Sequence, residues 1–293
     1  MKIVISGASG MVGSELVRQL QADTHDVSTL VRRRPSAPNE IHWDPAAGSL
    51  PASAIESADA VINLSGASLG KLPWLPGYKT TILRSRLQTT RTLAAAIGAA
   101  ASPPSVFLSA SAVGFYGDRP NEILTEESAR GAGFLADVVE QWEAASQVSN
   151  GTTRVVSLRT GLVLGSGGSA APIVALSKAG LGSRLGNGRA DWPWISIHDE
   201  AAAIRHLLTS RLSGPVNLTG PTSATSDDVT RYVAAKLHRP YLLRVPRWVI
   251  VLALQDAGNE LLLSSQNVSS AKLTGDGFTF RDRTMRQAVD AFL

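Results

Sequence analysis

The sequence predicts an α/β fold, a doubly wound parallel sheet with helices on both faces, together with a smaller C-terminal substrate domain. Three observations predict it. Short runs rich in Val, Ile and Leu alternate with helical patterns from the first residues onward, as in a chain of βαβ units. Those runs show little polar alternation, which is how strands read when helices cover both their faces. The stretch SGASGMVG at 6–13 joins the first apolar run to the first helical pattern.

The elements follow in order. A strand is predicted over 2–6, carried by Ile3, Val4 and Ile5, and an amphipathic helix over 12–22. Strands follow at 26–31 and, more weakly, at 40–43, then at 59–65, 105–110 and 153–158. Helices are predicted over 79–101, Ala-rich toward its end, and over 134–149, 199–211 and 225–237. The helix near 199 opens on His198-Asp199-Glu200; acids at the positive end of a helix read as a start signal, not as a catalytic group. A glycine-rich stretch begins at Gly165 and runs to Gly188-Arg189, and in α/β proteins such loops commonly border a ligand. After Gly214-Pro215 the alternation of strand and helix loses its regularity. The expected division is therefore residues 1–165, with 195–214 returning to them, against 166–194 and 215–293.

Composition narrows the function classes. The 293 residues are 44% hydrophobic and 18% charged, with a formal net charge of +4 and no long run of like charges, so no nucleic-acid partner is expected. The absence of cysteine excludes a disulfide framework, a thiolate nucleophile and Cys-ligated zinc. A first strand starting at Lys2 leaves no room for a signal peptide, and the longest apolar stretch, Trp248 to Leu254, is too short to span a bilayer. A cytoplasmic protein with no membrane partner is expected, and N-x-S/T sequons such as those at Asn150, Asn217 and Asn267 read as chance matches. The five histidines, His25, His42, His198, His206 and His238, show no metal-ligand spacing.

The loop at 6–13 carries the strongest signal. Gly7, Gly10 and Gly13 form G-x-x-G-x-x-G between a strand and a helix. Glycine permits the tight turn, lets backbone approach a pyrophosphate, and allows the helix to pack on the strand, while the helix N-terminus supplies amide donors. The candidate cofactor-binding residues in this Rossmann-like turn are Gly7, Ser9, Gly10, Met11, Val12 and Gly13. The second strand ends in Arg32-Arg33 where an NAD site would favour an acid for the ribose hydroxyl. Arginine suits a 2′-phosphate, so NADP(H) is the expected cofactor, with Arg32 as its contact and Arg33 and Arg34 as solvated loop.

With these residues in view, the chain resembles the extended short-chain dehydrogenase/reductases. The resemblance rests on GASGMVG at 7–13, AVINLSG at 60–66, FLSASAVGFYG at 107–117 and LRTGLVLG at 158–165. It is closer still to an atypical branch, the NAD-dependent epimerase family proteins, in SRLQTT at 85–90, WEAA at 142–145, WISIHD at 194–199 and LLLSSQ at 261–266. The resemblance spans essentially the whole chain and implies a small substrate domain closing over a cleft. It also implies that Leu64, Ser65 and Gly66 line the cofactor, that Arg86 lies near it, and that Val163 approaches the nicotinamide.

The same resemblance implies a Tyr-x-x-x-Lys pair with a serine, in which the lysine tunes the tyrosine as a proton donor. Here the matching helix has Phe134 and Val138 at those positions and contains neither Tyr nor Lys. The candidates left are Ser111, matching the family serine, as a hydrogen-bond donor or a small strand-end residue, and Tyr116, the one tyrosine nearby in sequence, as a substitute acid or equally as a structural residue of the turn before Gly117. Arg189, Trp192 and Trp194 read equally as substrate lining and as the join between domains. Gly66-Ala67-Ser68-Leu69-Gly70 matches a nucleophile elbow, but the prolines at 73 and 76 deny it the helix that the motif requires. Two functions stand: an epimerase-like or oxidoreductase protein acting on a sugar nucleotide or other small carbonyl or hydroxyl compound, and an inactive NADP(H) binder with a regulatory or redox-sensing role. A homodimer is compatible with either.

Overall fold

A computed structural model describes residues 1–293, apart from the side chain of Ser169. The strands are β1 (Lys2–Ser6), β2 (Asp26–Val31), β3 (Glu40–His42), β4 (Ala60–Asn63), β5 (Val106–Ala112), β6 (Arg119–Leu124), β7 (Arg154–Thr160), β8 (Leu162–Leu164), β9 (Gly182–Leu185), β10 (Trp194–Ser196), β11 (Gly214–Leu218), β12 (Tyr241–Val245) and β13 (Gln266–Val268). The helices are α1 (Met11–Ala22), α2 (Ala52–Glu56), α3 (Pro76–Ala99), α4 (Phe134–Ala145), α5 (Ala171–Lys178), α6 (Ile197–Thr209), α7 (Ser226–Lys236), α8 (Arg247–Leu254), α9 (Ala271–Gly275) and α10 (Met285–Asp290).

Seven strands form one sheet in the order β11-β7-β5-β4-β1-β2-β3, and every neighbouring pair is parallel. The chain runs outward from β1 to β3, returns across the middle to β4, and then runs outward the other way. The order therefore reverses between β1 and β4, and sheets of this kind bind ligands outside the carboxyl ends of their strands at such a point. One face of the sheet packs Ile3, Ile5, Leu108 and Leu158 against Leu16 and Leu20 of α1 and Ile204 and Leu207 of α6. The other packs Val4, Val61 and Phe107 against Leu93 and Ile97 of α3. Strands buried on both faces explain why the sequence runs showed no alternation.

Several boundaries differ from the sequence reading for local reasons. Helix α3 starts at Pro76 instead of 79, since proline lacks only an amide that the first turn leaves unpaired. Helix α4 stops at Ala145, where the Ser146 hydroxyl donates to the Glu143 carbonyl at 2.7 Å and competes with continued helix. Residues 215–218 form the edge of the large sheet beside β7 and do not belong with the smaller unit. Leu273, Phe278 and Phe280 also join the core under α6, so part of the C-terminal segment returns to the larger unit.

The smaller unit gathers around Trp192, Trp194, Val229, Val233, Met285 and Val289. Trp192 and Trp194 are almost fully buried, and the Trp194 indole donates to the Thr222 carbonyl at 2.8 Å. The two tryptophans are therefore core residues of this cluster, whereas Arg189 is exposed. Among the described residues, no helix is long and apolar enough to cross a membrane.

Candidate functional site

The glycine loop lies at the reversal point. Gly7 has φ of +79°, and a Cβ there would stand 2.7 Å from the Leu64 backbone carbonyl. The end of β1 thus presses directly on the segment that leaves β4, and only glycine fits. A Cβ on Gly13 would meet the Gly7 oxygen at 2.3 Å, so this glycine lets α1 seat on the loop. Gly10 is different: it is exposed, and its Cβ would lie 3.3 Å from the nearest atom. Gly10 is also the N-cap of α1, with no side-chain acceptor and no acid in the first turn. The amides at Met11 and Val12 are left at the positive end of the helix, the arrangement that receives an anion.

The rest of the predicted set surrounds this loop. Met11 reaches sideways onto the glycine-rich stretch, its Sδ 3.2 Å from where a Cβ of Gly165 would sit and its Cε 2.7 Å from that of Gly168. Val163 is buried in β8 beside Ile195 of β10. The Ser65 amide donates to Asn63 Oδ1 at 3.2 Å. Asn63 also accepts from Ser6 and donates to Thr90, which in turn accepts from the Trp142 indole. This buried polar chain braces β1, β4, α3 and α4 below the crevice. An asparagine closing an otherwise apolar strand was its only trace in the sequence.

The two arginines of the set differ in burial and agree in lacking a counter-charge. Arg32 is exposed at the end of β2, and among the described residues no carboxylate pairs with it. Its neighbour Arg33 is held by Glu40 through a two-pronged pair at 2.5 and 2.8 Å. Arg86 is buried beside Gly66. Its guanidinium lies 4.9 Å from the Trp142 ring, and Nη1 donates to the Ala67 and Ile82 carbonyls at 3.2 and 3.0 Å. Burial brings its pKa down to about 10. A buried cation without an anion costs several kcal/mol, and an anionic ligand group is what would offset it.

The candidate acid groups face inward. Ser111 is buried and donates to Glu143 Oε1 at 2.6 Å. Glu143 pairs with Arg159 at 2.8 and 2.9 Å, and Arg159 donates to the Tyr116 hydroxyl at 3.0 Å. Tyr116 donates in turn to Asn217 Oδ1 at 2.7 Å, has no exposed surface, and burial pushes its phenol pKa up. Of the two roles expected for Tyr116, the burial and hydrogen bonds support the structural one: its proton goes to Asn217 inside the fold. Glu143 and Arg159 were missed because their pairing brings together residues of α4 and β7.

Helix α4 supplies no replacement. Glu143, near the C-terminal end of α4, meets Ser111, while Phe134 at its N-terminal end stands about 13 Å from Glu143 along the helix axis. Phe134 packs edge-on against Trp74 with ring centroids 5.7 Å apart. Lys79 lies 5.1 Å from the Phe134 ring and is paired with Asp256. The amides of Phe134 and Leu135 donate to Glu260 at 2.9 and 2.6 Å, so a residue of the smaller unit caps this helix. Ser68 lies in an irregular loop, where its hydroxyl accepts from the Gly70 amide.

Residues 3–219 match the NAD dependent epimerase/dehydratase family, and residues 245–292 match a domain of unknown function. The chain is 37% identical over 290 residues to an epimerase family protein of Mycobacterium leprae, covering 98% of this chain and 94% of that one. It is 33% identical over 285 residues to the human epimerase family protein SDR39U1, with 96% and 95% covered. A crystal structure of the human protein (isoform 2) with NADPH superposes with a TM-score of 0.91 at 29% identity, covering 100% of this chain and 99% of that chain.

Proposed function

The chain belongs to the NAD dependent epimerase/dehydratase family, and from that premise we propose that it binds NADP(H) in the crevice between β1 and β4 as an epimerase-like or oxidoreductase protein. Its substrate is a sugar nucleotide or another small carbonyl or hydroxyl compound. The observation that carries the cofactor is Arg32, a cation at the end of β2 without a carboxylate partner among the described residues. At that strand end an arginine accommodates a 2′-phosphate where an acid would select NAD.

The other residues fit the same ligand. The α1 N-terminus behind Gly7, Ser9, Gly10, Met11, Val12 and Gly13 takes the pyrophosphate. Leu64, Ser65 and Gly66 form the floor at the reversal point, Arg86 meets an anionic group above Gly66, and Val163 borders the nicotinamide end. Bound there, the cofactor supplies hydride exchange. Ser111 orients through Glu143 the strand end on which a substrate rests.

A second reading, a binder that senses redox state without turnover, is favoured by one specific observation: α4 offers no Tyr or Lys, and both Ser111 and Tyr116 spend their protons on internal partners. The experiment that separates the two is incubation with NADPH and a panel of carbonyls and nucleotide sugars, following nicotinamide absorbance and sugar identity. Turnover of at least one class is expected. Tight NADPH binding with no turnover across the panel selects the second reading, and no NADPH binding overturns both.

A further inference from the structure

The longest apolar stretch of the chain, Trp248 to Leu254, has no part in the crevice. It forms most of α8, and Trp248 and Leu252, one turn apart on one face, are 68% and 76% exposed. Beside it Leu242 sits at a shift in the β9–β12 register and is 85% exposed. Leu243, Leu181 and Leu176 are exposed as well. The Leu181 amide donates to the Leu176 carbonyl, β9, which begins at Gly182, pairs with β12, which carries Leu242 and Leu243, and α8 follows β12 directly after Pro246. Large apolar side chains exposed in such number along neighbouring segments mark a contact site.

Its charge identifies the partner. The two segments that build this face, residues 171–185 and 236–254, contain no Asp or Glu. They carry Lys178, Arg184, Lys236, Arg239, Arg244 and Arg247. Arg184 and Lys236 are paired with Asp227 and Asp290, while Lys178, Arg239 and Arg244 have no carboxylate partner among the described residues. Leucines and a tryptophan that project from the surface, flanked by unpaired cations, suit insertion into a headgroup layer. A partner helix would instead be met by a groove.

We propose that this face docks on an anionic phospholipid surface, with Trp248, Leu252 and Leu242 entering the headgroup boundary and Arg239 and Arg244 meeting lipid phosphates. The earlier expectation of no membrane partner rests on span length, which does not bear on surface docking.

The test is flotation of the full chain with phosphatidylcholine vesicles, with and without phosphatidylglycerol. Binding is expected to the anionic vesicles only, and to weaken with salt. Arg239→Gln with Arg244→Gln weakens it roughly tenfold or more, and Trp248→Ser with Leu252→Ser by at least about tenfold. Melting followed by circular dichroism confirms that both variants fold; these positions are exposed, so melting is expected to stay as in the parent. Absence of flotation, or flotation unchanged in both variants, overturns the proposal. So does a parent that self-associates in sedimentation and becomes monomeric on Trp248→Ser, since the face would then belong to a second copy of the chain.

Discussion

Arg86 and Glu200 are both buried ionisable groups, and the fold accommodates them in opposite ways. Arg86 keeps its charge at neutral pH, with its pKa brought down only to about 10. If the missing anion is the cofactor, Arg86→Met removes a desolvation penalty from the free protein and an attraction from the complex. NADPH affinity should fall roughly tenfold or more while the melting temperature without cofactor stays level or rises, a combination that calorimetry and titration together reveal. Glu200, fully buried, gives up its charge: burial pushes its pKa to about 8. One carboxyl oxygen accepts from Thr160 at 2.7 Å and the other has no partner. In an unfolded chain this group ionises near 4.5. Its contribution to stability is therefore intact below that pH and is lost as pH rises toward 8. Glu200→Gln should stabilise the fold at pH 7–8 by on the order of 1–3 kcal/mol and flatten stability between those limits, as urea melts across a pH series would show.

What was legible in the sequence is local: Gly7 and Gly13 are defined by a strand on one side and a helix on the other, and their close backbone contacts follow from that. Ser111 was read from its match to the family serine and Tyr116 from nearness in the chain, but what decides their chemistry is Glu143, Arg159 and Asn217, which only the fold brings near. Glu200 read as part of a helix-start signal for the same reason. The cap of α6 is Ser196, which accepts from the Asp199 amide, while Glu200 turns into the core.

At the scale of elements, the long strands and helices followed from periodicity, whereas the short pairs β6–β13, β8–β10 and β9–β12 did not. Each joins a few residues to a partner far along the chain, and so few residues carry no period. Helix α4 shows the same dependence on distant sequence. Its N-cap, Gly133, has no side chain to offer, and Glu260 supplies the cap from the other unit. Glu260→Ala should cost about 1 kcal/mol or somewhat more and speed hydrogen exchange at the Phe134 and Leu135 amides, leaving exchange at the α1 amides unchanged. Unchanged exchange at Phe134 and Leu135 would contradict this role.

At the scale of the molecule, the Lys79–Asp256 pair and the Glu260 cap tie residues 256–260 to α3 and α4, while Trp192 and Trp194 sit in a separate buried cluster with residues of α7 and α10. Among the described residues, Arg32 and Arg86 beside the crevice between β1 and β4 have no carboxylate partner, and Glu260 fixes the N-terminus of α4. In the proposed function, cofactor binding is therefore assigned to the crevice between β1 and β4, while α4 contains neither Tyr nor Lys. The claim on which everything else rests is the phosphorylated cofactor, and calorimetric titration of NADPH and NADH into the parent and Arg32→Ala tests it most directly. The parent should bind NADPH roughly ten- to a hundredfold more tightly than NADH, and Arg32→Ala should remove that preference while leaving NADH affinity nearly unchanged. Equal affinities in the parent, or a preference that survives Arg32→Ala, would contradict it.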